Sequence, residues 1–398
     1  MNSNLTKLFE IASKRERRII GLMSGTSMDG LDVALCKISG SGPTTHVVLE
    51  YFDTVSFSEE IKTEVRQIFA KKQIDFQHLT LLNAWLGRLH GQLVLQCLEK
   101  WGVLPADIDA VASHGQTVFH APKILHQLPK YPNATLQIGD GDHVAVTTGI
   151  MTVSDFRQKH VAAGGEGAPL AVYGDYFIFS KAGQNRIMLN LGGIANFTYL
   201  PGNLDANEVF VTDTGPGNTL IDAFARHFFD QPYDEGGRLA ASGQVNETLL
   251  KSLKQDPFFE GSFPKTTGPE LFSLAYVQQA QEGSGTTALS LPDIMATLTQ
   301  FSVETIAEAI ALSCHAATNY HVYLSGGGAH NPVLVAGLRA LLPRFTFGNT
   351  DELGILGDAK EAVLFAILAN ETLVGGQTSF GNRRGVPTVS MGKISFPT

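Results

Sequence analysis

The sequence predicts an α/β protein built from two similar domains. Residues 18–38 and 186–200 each have the pattern of an apolar strand, a turn containing glycine and a second strand. The two stretches lie almost half of the 398-residue chain apart. A strand plan repeated at that distance suggests two domains that face each other across a cleft. The length of the chain also favours two domains, because a chain of this size usually folds around more than one hydrophobic core.

The composition narrows the classes of function. With 43% apolar and 17% charged residues the chain has a globular composition, and no apolar run approaches the roughly 20 residues of a membrane helix. The net charge of −9 argues against nucleic acid as a partner. Cys36, Cys97 and Cys314 lie far apart in apolar contexts and form neither a metal spacing nor a disulfide framework. We therefore expect buried thiols in a cytoplasmic protein that has no membrane partner.

The first glycine turn, SGTSMDG at residues 24–30, is suited to phosphate. Its two glycines let the backbone turn with positive φ and approach a ligand closely, and its hydroxyl side chains and N–H groups can hold an anion. Asp29 and Asp32 would repel phosphate unless a cation lay between them, so the turn indicates a nucleotide bound with Mg²⁺. The alternative is an ordinary hairpin with a glycine-rich turn.

Two polar stretches in the first half predict a small-molecule site. The apolar strand 108–113 leads into a polar turn at 114–117, and the carboxyl ends of such strands bind ligands in open α/β sheets. Residues 155–170, DFRQKHVAAGGEGAPL, are predicted to form one polar loop. The alternative for this loop is a solvated connection between domains.

Two further turns in the second half indicate nucleotide contacts. Strand 209–212 leads into DTGPGN at 213–218 and then into a helix, which is a second phosphate-binding arrangement. Asp213 stands at the end of that strand, where a general base would face the ligand. The three glycines of 325–331, SGGGAHN, allow a flat nucleoside to lie against the backbone. Long helices are predicted at 75–101, with Asp75 as N-cap, and at 292–317.

Eight motifs together resemble those of the 1,6-anhydro-N-acetylmuramic acid kinases. They are GLMSGTSMDGLD, SHGQT, DFR followed by AAGGEGAPL, NLGGIANF, DTGPGN, PKTTGPELF, SGGGAHNP and GDAKEA, in family order from about residue 19 to 370. The resemblance implies the sugar-kinase, actin and Hsp70 fold, with two actin-like (ribonuclease H-like) lobes, mixed sheets and a nucleotide cleft between the lobes. We assign residues 1–170 to the N-terminal lobe and 171–398 to the C-terminal lobe.

The resemblance also implies roles for particular residues. Asp213 is the catalytic base. The nucleotide-binding residues are Gly25, Thr26, Ser27, Met28, Asp29, Gly30, Leu31 and Asp32 in the first turn, Gly215, Gly217 and Asn218 in the second, and Gly326, Gly327, Gly328 and Asn331 on the adenosine side. Asp29 is the candidate Mg²⁺ ligand. The sugar-side residues are Gln116, Thr117, Asp155, Arg157 and His160.

The function that the resemblance implies is an ATP-dependent kinase with ATP and Mg²⁺ as cofactors. It opens 1,6-anhydro-N-acetylmuramic acid with water and yields N-acetylmuramic acid 6-phosphate, a step of cell-wall sugar recycling. His160 and Glu166 stand where the family usually has aspartate and glutamine. The alternatives are a kinase for another anhydro sugar or a hexose, and an ATP-switched interaction protein of the actin and Hsp70 kind. A homodimer is a further expectation.

Overall fold

The computed structural model describes residues 2–25, 28–168, 170–268, 270–314, 320–376, 378–380 and 386–398. The chain forms two compact units, the first made of Met1–Phe179 with Gly354–Thr398 and the second of Ser180–Leu353. Each unit is a mixed α/β structure with its own sheet, as the sequence predicts. In the part of the chain that the model describes, every helix is too short or too polar to cross a bilayer.

The strands are β1 (Glu16–Ser24), β2 (Gly30–Ser39), β3 (His46–Ser56), β4 (Ala110–Ala121), β5 (Ala134–Ile138), β6 (Thr152–Ser154), β7 (Asn185–Leu191), β8 (Ile194–Leu200), β9 (Phe210–Pro216), β10 (Tyr320–Ser325), β11 (Thr346–Asn349) and β12 (Lys393–Ser395). The helices are α1 (Ser3–Ser13), α2 (Glu59–Arg66), α3 (Phe76–Trp101), α4 (Lys123–His126), α5 (Gly141–Thr148), α6 (Phe156–Ala162), α7 (Ala171–Phe179), α8 (Thr219–Phe229), α9 (Arg238–Ala241), α10 (Glu247–Leu253), α11 (Pro257–Glu260), α12 (Leu274–Ser284), α13 (Leu291–Ser313), α14 (Pro332–Leu341) and α15 (Lys360–Val374).

The two sheets share one topology. In the first unit β1, β2 and β3 are antiparallel, β4 runs parallel to β1, and β6 runs parallel to β4. In the second unit β7, β8 and β9 are antiparallel, β10 runs parallel to β7, and β11 runs parallel to β10. The internal repeat predicted from the two hairpins is therefore confirmed at the level of strand order.

The C-terminal segment belongs with the first unit rather than with the second. Helix α15 packs on β1 so closely that a Cβ on Gly21 would lie 1.8 Å from the carbonyl oxygen of Ala362. Strand β12 pairs with β6 through three residues. The observed units thus differ from the predicted lobes 1–170 and 171–398, because burial of α15 and the free edge of β6 bring residues 354–398 back to the first sheet.

Two local predictions are wrong in informative ways. The polar stretch 114–117 is not a turn, because β4 continues through it and pairs there with β5. Residues 155–170 do not form one continuous loop, because helix α6 occupies the first part. By contrast, α3 is confirmed with Asp75 as N-cap, where its carboxylate accepts from the backbone N–H groups of Gln77 and His78. Helix α13 begins one residue before the predicted start, and residues 315–317 of its predicted end lie outside the described residues.

Candidate active site

Three glycine turns of the second unit meet at the ends of β7, β9 and β10. The N–H groups of Gly217 and Thr219 donate to the carbonyl oxygen of Gly193, at 2.8 and 3.1 Å, and that of Asn218 donates to Gly192 at 2.9 Å. Asn218 also donates from Nδ2 to the carbonyl oxygen of Leu191, at 2.9 Å. The turns after β7 and β9 are therefore joined to each other mainly through their own backbones.

Gly217 is required by the packing of these turns. A Cβ at this position would lie 2.2 Å from the carbonyl oxygen of Gly192, a separation that atoms cannot adopt. The N–H groups of residues 217–219, which the sequence suggests as phosphate donors, are hydrogen-bonded within the protein. Packing alone therefore requires glycine at position 217, whether or not a ligand binds.

The adenosine-side glycines occupy different environments. Gly326 has φ +79°, and a Cβ there would meet Asn190 Oδ1 at 2.6 Å. Gly327 is exposed and has open space around its missing side chain, with Asn218 Nδ2 4.0 Å away. Asn331 is buried and caps α14 by accepting from the N–H groups of Val333 and Leu334. Gly327 is therefore the member of this group whose surroundings leave room for a ligand.

Asp213 lies within β9, half-buried, and its carboxylate has one fixed and one open oxygen. Oδ2 accepts from the backbone N–H of Thr267 at 2.8 Å, whereas Oδ1 makes no hydrogen bond with any described residue. Burial raises the pKa of Asp213, and the Thr267 N–H partly offsets that rise. An oriented carboxylate with a raised pKa and a free oxygen has the properties of a general base.

The PKTTG segment, which begins at Pro264, lies beside β9 and hydrogen-bonds to the backbone of Asp213. The N–H of Asp213 donates to the carbonyl oxygen of Lys265 at 2.9 Å, and the N–H of Lys265 donates to Thr212 Oγ1 at 3.0 Å. The Lys265 ammonium lies 4.5 Å from the ring centre of Phe258 and donates to that residue's carbonyl oxygen. Burial lowers the pKa of Lys265. The backbone hydrogen bonds to Lys265 fix the Asp213 backbone.

In the first unit, side chains hold the start of the 24–30 turn. Ser24 Oγ donates to Gln116 Oε1 at 2.6 Å, and Gln116 Nε2 donates to the carbonyl oxygen of Gly25 at 3.2 Å. Gln116 is fully buried. Thr26 and Ser27 lie outside the described residues. Gln116, predicted on the sugar side, thus contacts the proposed phosphate turn.

The second part of that turn is fixed by packing. Met28 adopts φ 60° and is buried in a cluster with Val65 and Leu86. Gly30 does not have positive φ; it begins β2, and a Cβ on it would lie 2.5 Å from the carbonyl oxygen of Val55. The prediction that both glycines serve the turn by positive φ is therefore wrong for Gly30, which permits close strand packing. Leu31 is buried in the sheet core.

The carboxylate of Asp32 lies near this turn and is affected by its neighbours. Asp32 accepts from Thr54 Oγ1 at 2.6 Å. Burial raises the pKa of Asp32, the Thr54 hydrogen bond lowers it, and the charge of Asp358 raises it further. Asp29 is exposed. No group of three or more metal-ligating side chains occurs among the described residues.

The sugar-side candidates Arg157 and His160 bind the same backbone segment. Arg157 donates from Nη1 to the carbonyl oxygen of Gly167 at 2.6 Å, and the N–H of Gly167 donates to His160 Nδ1 at 3.0 Å. Arg157 also donates from Nε to His114 Nε2 at 2.8 Å. His160 is fully buried, and its ring meets Tyr173 edge-on. His160 therefore positions the glycine loop, and its own contact with a sugar stays a prediction.

The proton positions in this network follow from the donors. Because a guanidinium can only donate, His114 accepts at Nε2 and carries its proton on Nδ1. Burial, followed by the charge of Arg157, lowers the pKa of His160 to about 4 and that of His114 well below its ordinary value, although Gly115 opposes the shift at His114. Both rings are neutral at pH 7.

The other two sugar-side candidates, Asp155 and Thr117, have separate partners. Asp155 adopts φ 59° and forms an ion pair with Lys393. Thr117 is half-buried and its hydroxyl accepts a hydrogen bond from the side chain of Gln137.

Sequence reasoning missed several residues of these clusters. Thr267 and Asp358 lie in the PKTTG and GDAKEA motifs, but the motifs alone do not predict their individual contacts. Lys393 lies outside every motif, and only the pairing of β12 with β6 brings it to Asp155.

Comparison with known proteins shows the family of the chain. The family model described as anhydro-N-acetylmuramic acid kinase matches residues 17–391. Two relatives with that name, from Pseudoalteromonas atlantica and Pseudoalteromonas translucida, are 56% and 53% identical, with all of each chain covered. A third, from Caldanaerobacter subterraneus, is 37% identical over 98% of this chain and 100% of its own. The chain therefore belongs to the anhydro-N-acetylmuramic acid kinase family.

Proposed function

We propose that this protein is an ATP-dependent kinase that opens 1,6-anhydro-N-acetylmuramic acid with water and phosphorylates the freed O6. The products are N-acetylmuramic acid 6-phosphate and ADP, as expected for cytoplasmic recycling of cell-wall sugars. Full-length membership of the family supports the substrate. The single structural observation that carries the proposal is the Asp213 carboxylate, oriented by Thr267 with its second oxygen unpaired among described residues.

In this reaction Asp213 accepts a proton from the water that attacks the anomeric carbon. The bond from that carbon to the bridging oxygen breaks, and the freed O6 receives the γ-phosphoryl group. The carboxylate must be ionised to act, so its activity is lost as the pH falls through its raised pKa. Orientation of the reactants supplies much of the acceleration, because phosphoryl transfer leaves little covalent chemistry to the protein.

In each unit, taken by itself, we propose a nucleotide-binding role for the glycine turns. In the second unit, Gly327 offers open space for the nucleoside. In the first, the turn after Ser24 is proposed to contact the phosphates, and Asp29, Asp32 and Asp358 are the candidates to hold Mg²⁺, which neutralises phosphate charge when bound. Arg157 is proposed to orient the sugar side through the Gly167 loop.

The test is a product-mass assay with ATP and a panel of sugars. We expect the 1,6-anhydro amino sugar to gain the mass of one phosphate group plus one water, because hydrolysis of the bridge accompanies transfer. Phosphate gain without water on a hexose would replace this proposal with an ordinary hexokinase. ATP hydrolysis with no phosphorylated sugar would indicate the ATP-switched interaction protein instead.

A further inference from the structure

A polar cavity of about 750 Å³ lies within the first unit. It is bordered by β4, β6 and β12, by the start of α5 and by the first turns of α3. Of the sugar-side candidates only Asp155 borders it, whereas Gln116, Thr117, Arg157 and His160 do not. The volume falls within the roughly 300–1,000 Å³ of typical small-molecule sites. The cavity thus needs an explanation beyond the residues assigned above.

The wall formed by the sheet presents a row of polar side chains. Ser113, Ser154 and Lys393 are in register across β4, β6 and β12. Because side chains alternate along a strand, Ser113 shares the face of Val111, which packs against the α3 residues of the core. The row is therefore on the side of the sheet that α3 and α5 cover, where the cavity lies.

One hydroxyl of this row is deeply buried and lacks a partner. Ser113 is 1% exposed, and its Oγ makes no hydrogen bond within the described part of the chain. An unpaired buried hydroxyl is unfavourable, because nothing replaces the hydrogen bonds to water that it loses on burial. Beside it, a Cβ on Gly141 would lie 2.2 Å from Ser154 Oγ, so the glycine keeps the second hydroxyl uncovered. A ligand that donates and accepts hydrogen bonds would satisfy both groups.

The charges at the cavity disfavour an anion. Asp140, Asp142 and Asp155 border it against one cation, Lys393, which is paired with Asp155. The remaining polar wall consists of hydroxyl and amide groups and the neutral His114 imidazole, while Leu136 and Ile394 supply apolar surface. Groups that both donate and accept, beside aliphatic surface, suit a ring that carries hydroxyls on its edge and C–H bonds on its face.

We propose that this cavity is a second site, which binds a neutral saccharide of one or two rings. It is distinct from the turn after Ser24 and from Asp213, and it does not depend on the proposed kinase reaction. Ser113 and Ser154 hydrogen-bond the sugar hydroxyls, and Leu136 and Ile394 contact its C–H face. Such a site would retain a carbohydrate on the enzyme independently of the sugar that reacts.

The test is a titration of the full-length protein, labelled at isoleucine methyl groups, with N,N′-diacetylchitobiose in the absence of ATP. We expect saturable shifts of the Ile138 and Ile394 methyl signals, since both residues border the cavity, and none for Ile187 of the second unit. Thr80→Trp fills the cavity from an exposed position on α3 and should abolish the shifts. Gln77→Trp, exposed on the same helix and away from the cavity, is the matched control.

Ser113→Ala supplies the finer measurement. We expect affinity for the disaccharide to fall about five- to tenfold, as for loss of one hydrogen bond, with an unchanged melting temperature because the hydroxyl has no protein partner. Absence of methyl shifts, or shifts that persist in Thr80→Trp, would overturn the site. Competition of the disaccharide with the anhydro sugar during turnover would instead make the cavity the acceptor site. Failure of the kinase proposal would leave the ATP-free titration unaffected.

Discussion

The two units share a strand order but hold their glycine turns by different means. In the second unit, the N–H groups of residues 217–219 bond to the carbonyl oxygens of Gly192 and Gly193, so backbone fixes backbone. In the first unit, the turn after Ser24 is fixed by the side chain of Gln116. A substitution in the second unit should therefore act first on folding, whereas one in the first unit should act first on ligand binding.

The largest effect on activity is expected at Asp213, which lies in the second unit, where backbone hydrogen bonds fix the turns. Asp213→Asn keeps an acceptor for the Thr267 N–H but removes the base, so kcat should fall by roughly 10²–10⁴-fold. The melting temperature and ATP affinity should stay near those of the wild type. Steady-state kinetics, calorimetry and ATP titration measure the three quantities. Asp230→Asn, an exposed site of the same unit with φ 53° that asparagine tolerates, is the control.

Near-normal turnover of Asp213→Asn would remove Asp213 from the chemistry. A loss confined to ATP affinity would move the residue to nucleotide or metal binding. In the wild type, burial raises the pKa of Asp213, so the acid limb of kcat should lie above the pH at which an exposed aspartate titrates.

The next effect tests the claim that the second unit's turns are held by backbone. Gly217→Val places a side chain against the carbonyl oxygen of Gly192 and should destabilise this unit by about 3 kcal/mol. Gly327→Val enters open space, so stability should change little while ATP affinity falls. Calorimetry and ATP titration on this pair measure both outcomes. Equal melting temperatures for the two variants would contradict the assignment.

The first unit should be the acid-sensitive one, because it contains deeply buried neutral histidines. Burial lowers the pKa of His90 to about 4, and neither ring nitrogen has a partner within the described chain. Between pH 6.5 and 4 the unfolded chain binds a proton that the folded chain does not. The stability from this group is therefore complete above pH 6.5 and is lost as the pH falls to about 4, by about 2–3 kcal/mol.

His90→Leu should reduce this pH dependence in melting curves recorded from pH 7 to pH 4.5, and the part due to buried His114 and His160 should remain. His46→Gln, at an exposed position of the same unit, should leave it unchanged. An identical slope in His90→Leu and the wild type would show that His90 does not titrate as its burial implies.

The positions of the strands along the chain can be predicted from the sequence, because apolar runs and glycine turns are local signals. The hairpins at both ends of the repeat, α3 and its cap at Asp75 follow that rule. The sequence does not predict that residues 354–398 belong to the first unit. That placement depends on the close approach of Ala362 to Gly21, two residues far apart in the sequence. The same holds for the continuation of β4 through 114–117, which only its pairing with β5 establishes.

Within the candidate site, residue types were easier to predict than roles. A glycine in a turn can make room for a ligand or for a neighbouring carbonyl group, and the sequence motif is the same in both cases. Gly217 and Gly30 make room for a neighbouring carbonyl group. His160 was predicted beside the sugar, yet it accepts a hydrogen bond from Gly167 and is buried. These roles are set by tertiary neighbours that local pattern does not contain.

The smallest effect tests the side-chain control of the first unit's turn. Gln116→Leu removes the contacts with Ser24 and with the Gly25 carbonyl, each worth about 0.5–1.5 kcal/mol. We expect KM for ATP to rise about tenfold, with a smaller change in kcat, because the turn is proposed to contact phosphates rather than to react. Gln116→Glu keeps an acceptor for Ser24 but loses the donor to Gly25, and it should give an intermediate KM. If both variants raised KM only for the sugar, Gln116 would act on the acceptor, and the turn after Ser24 would not depend on it.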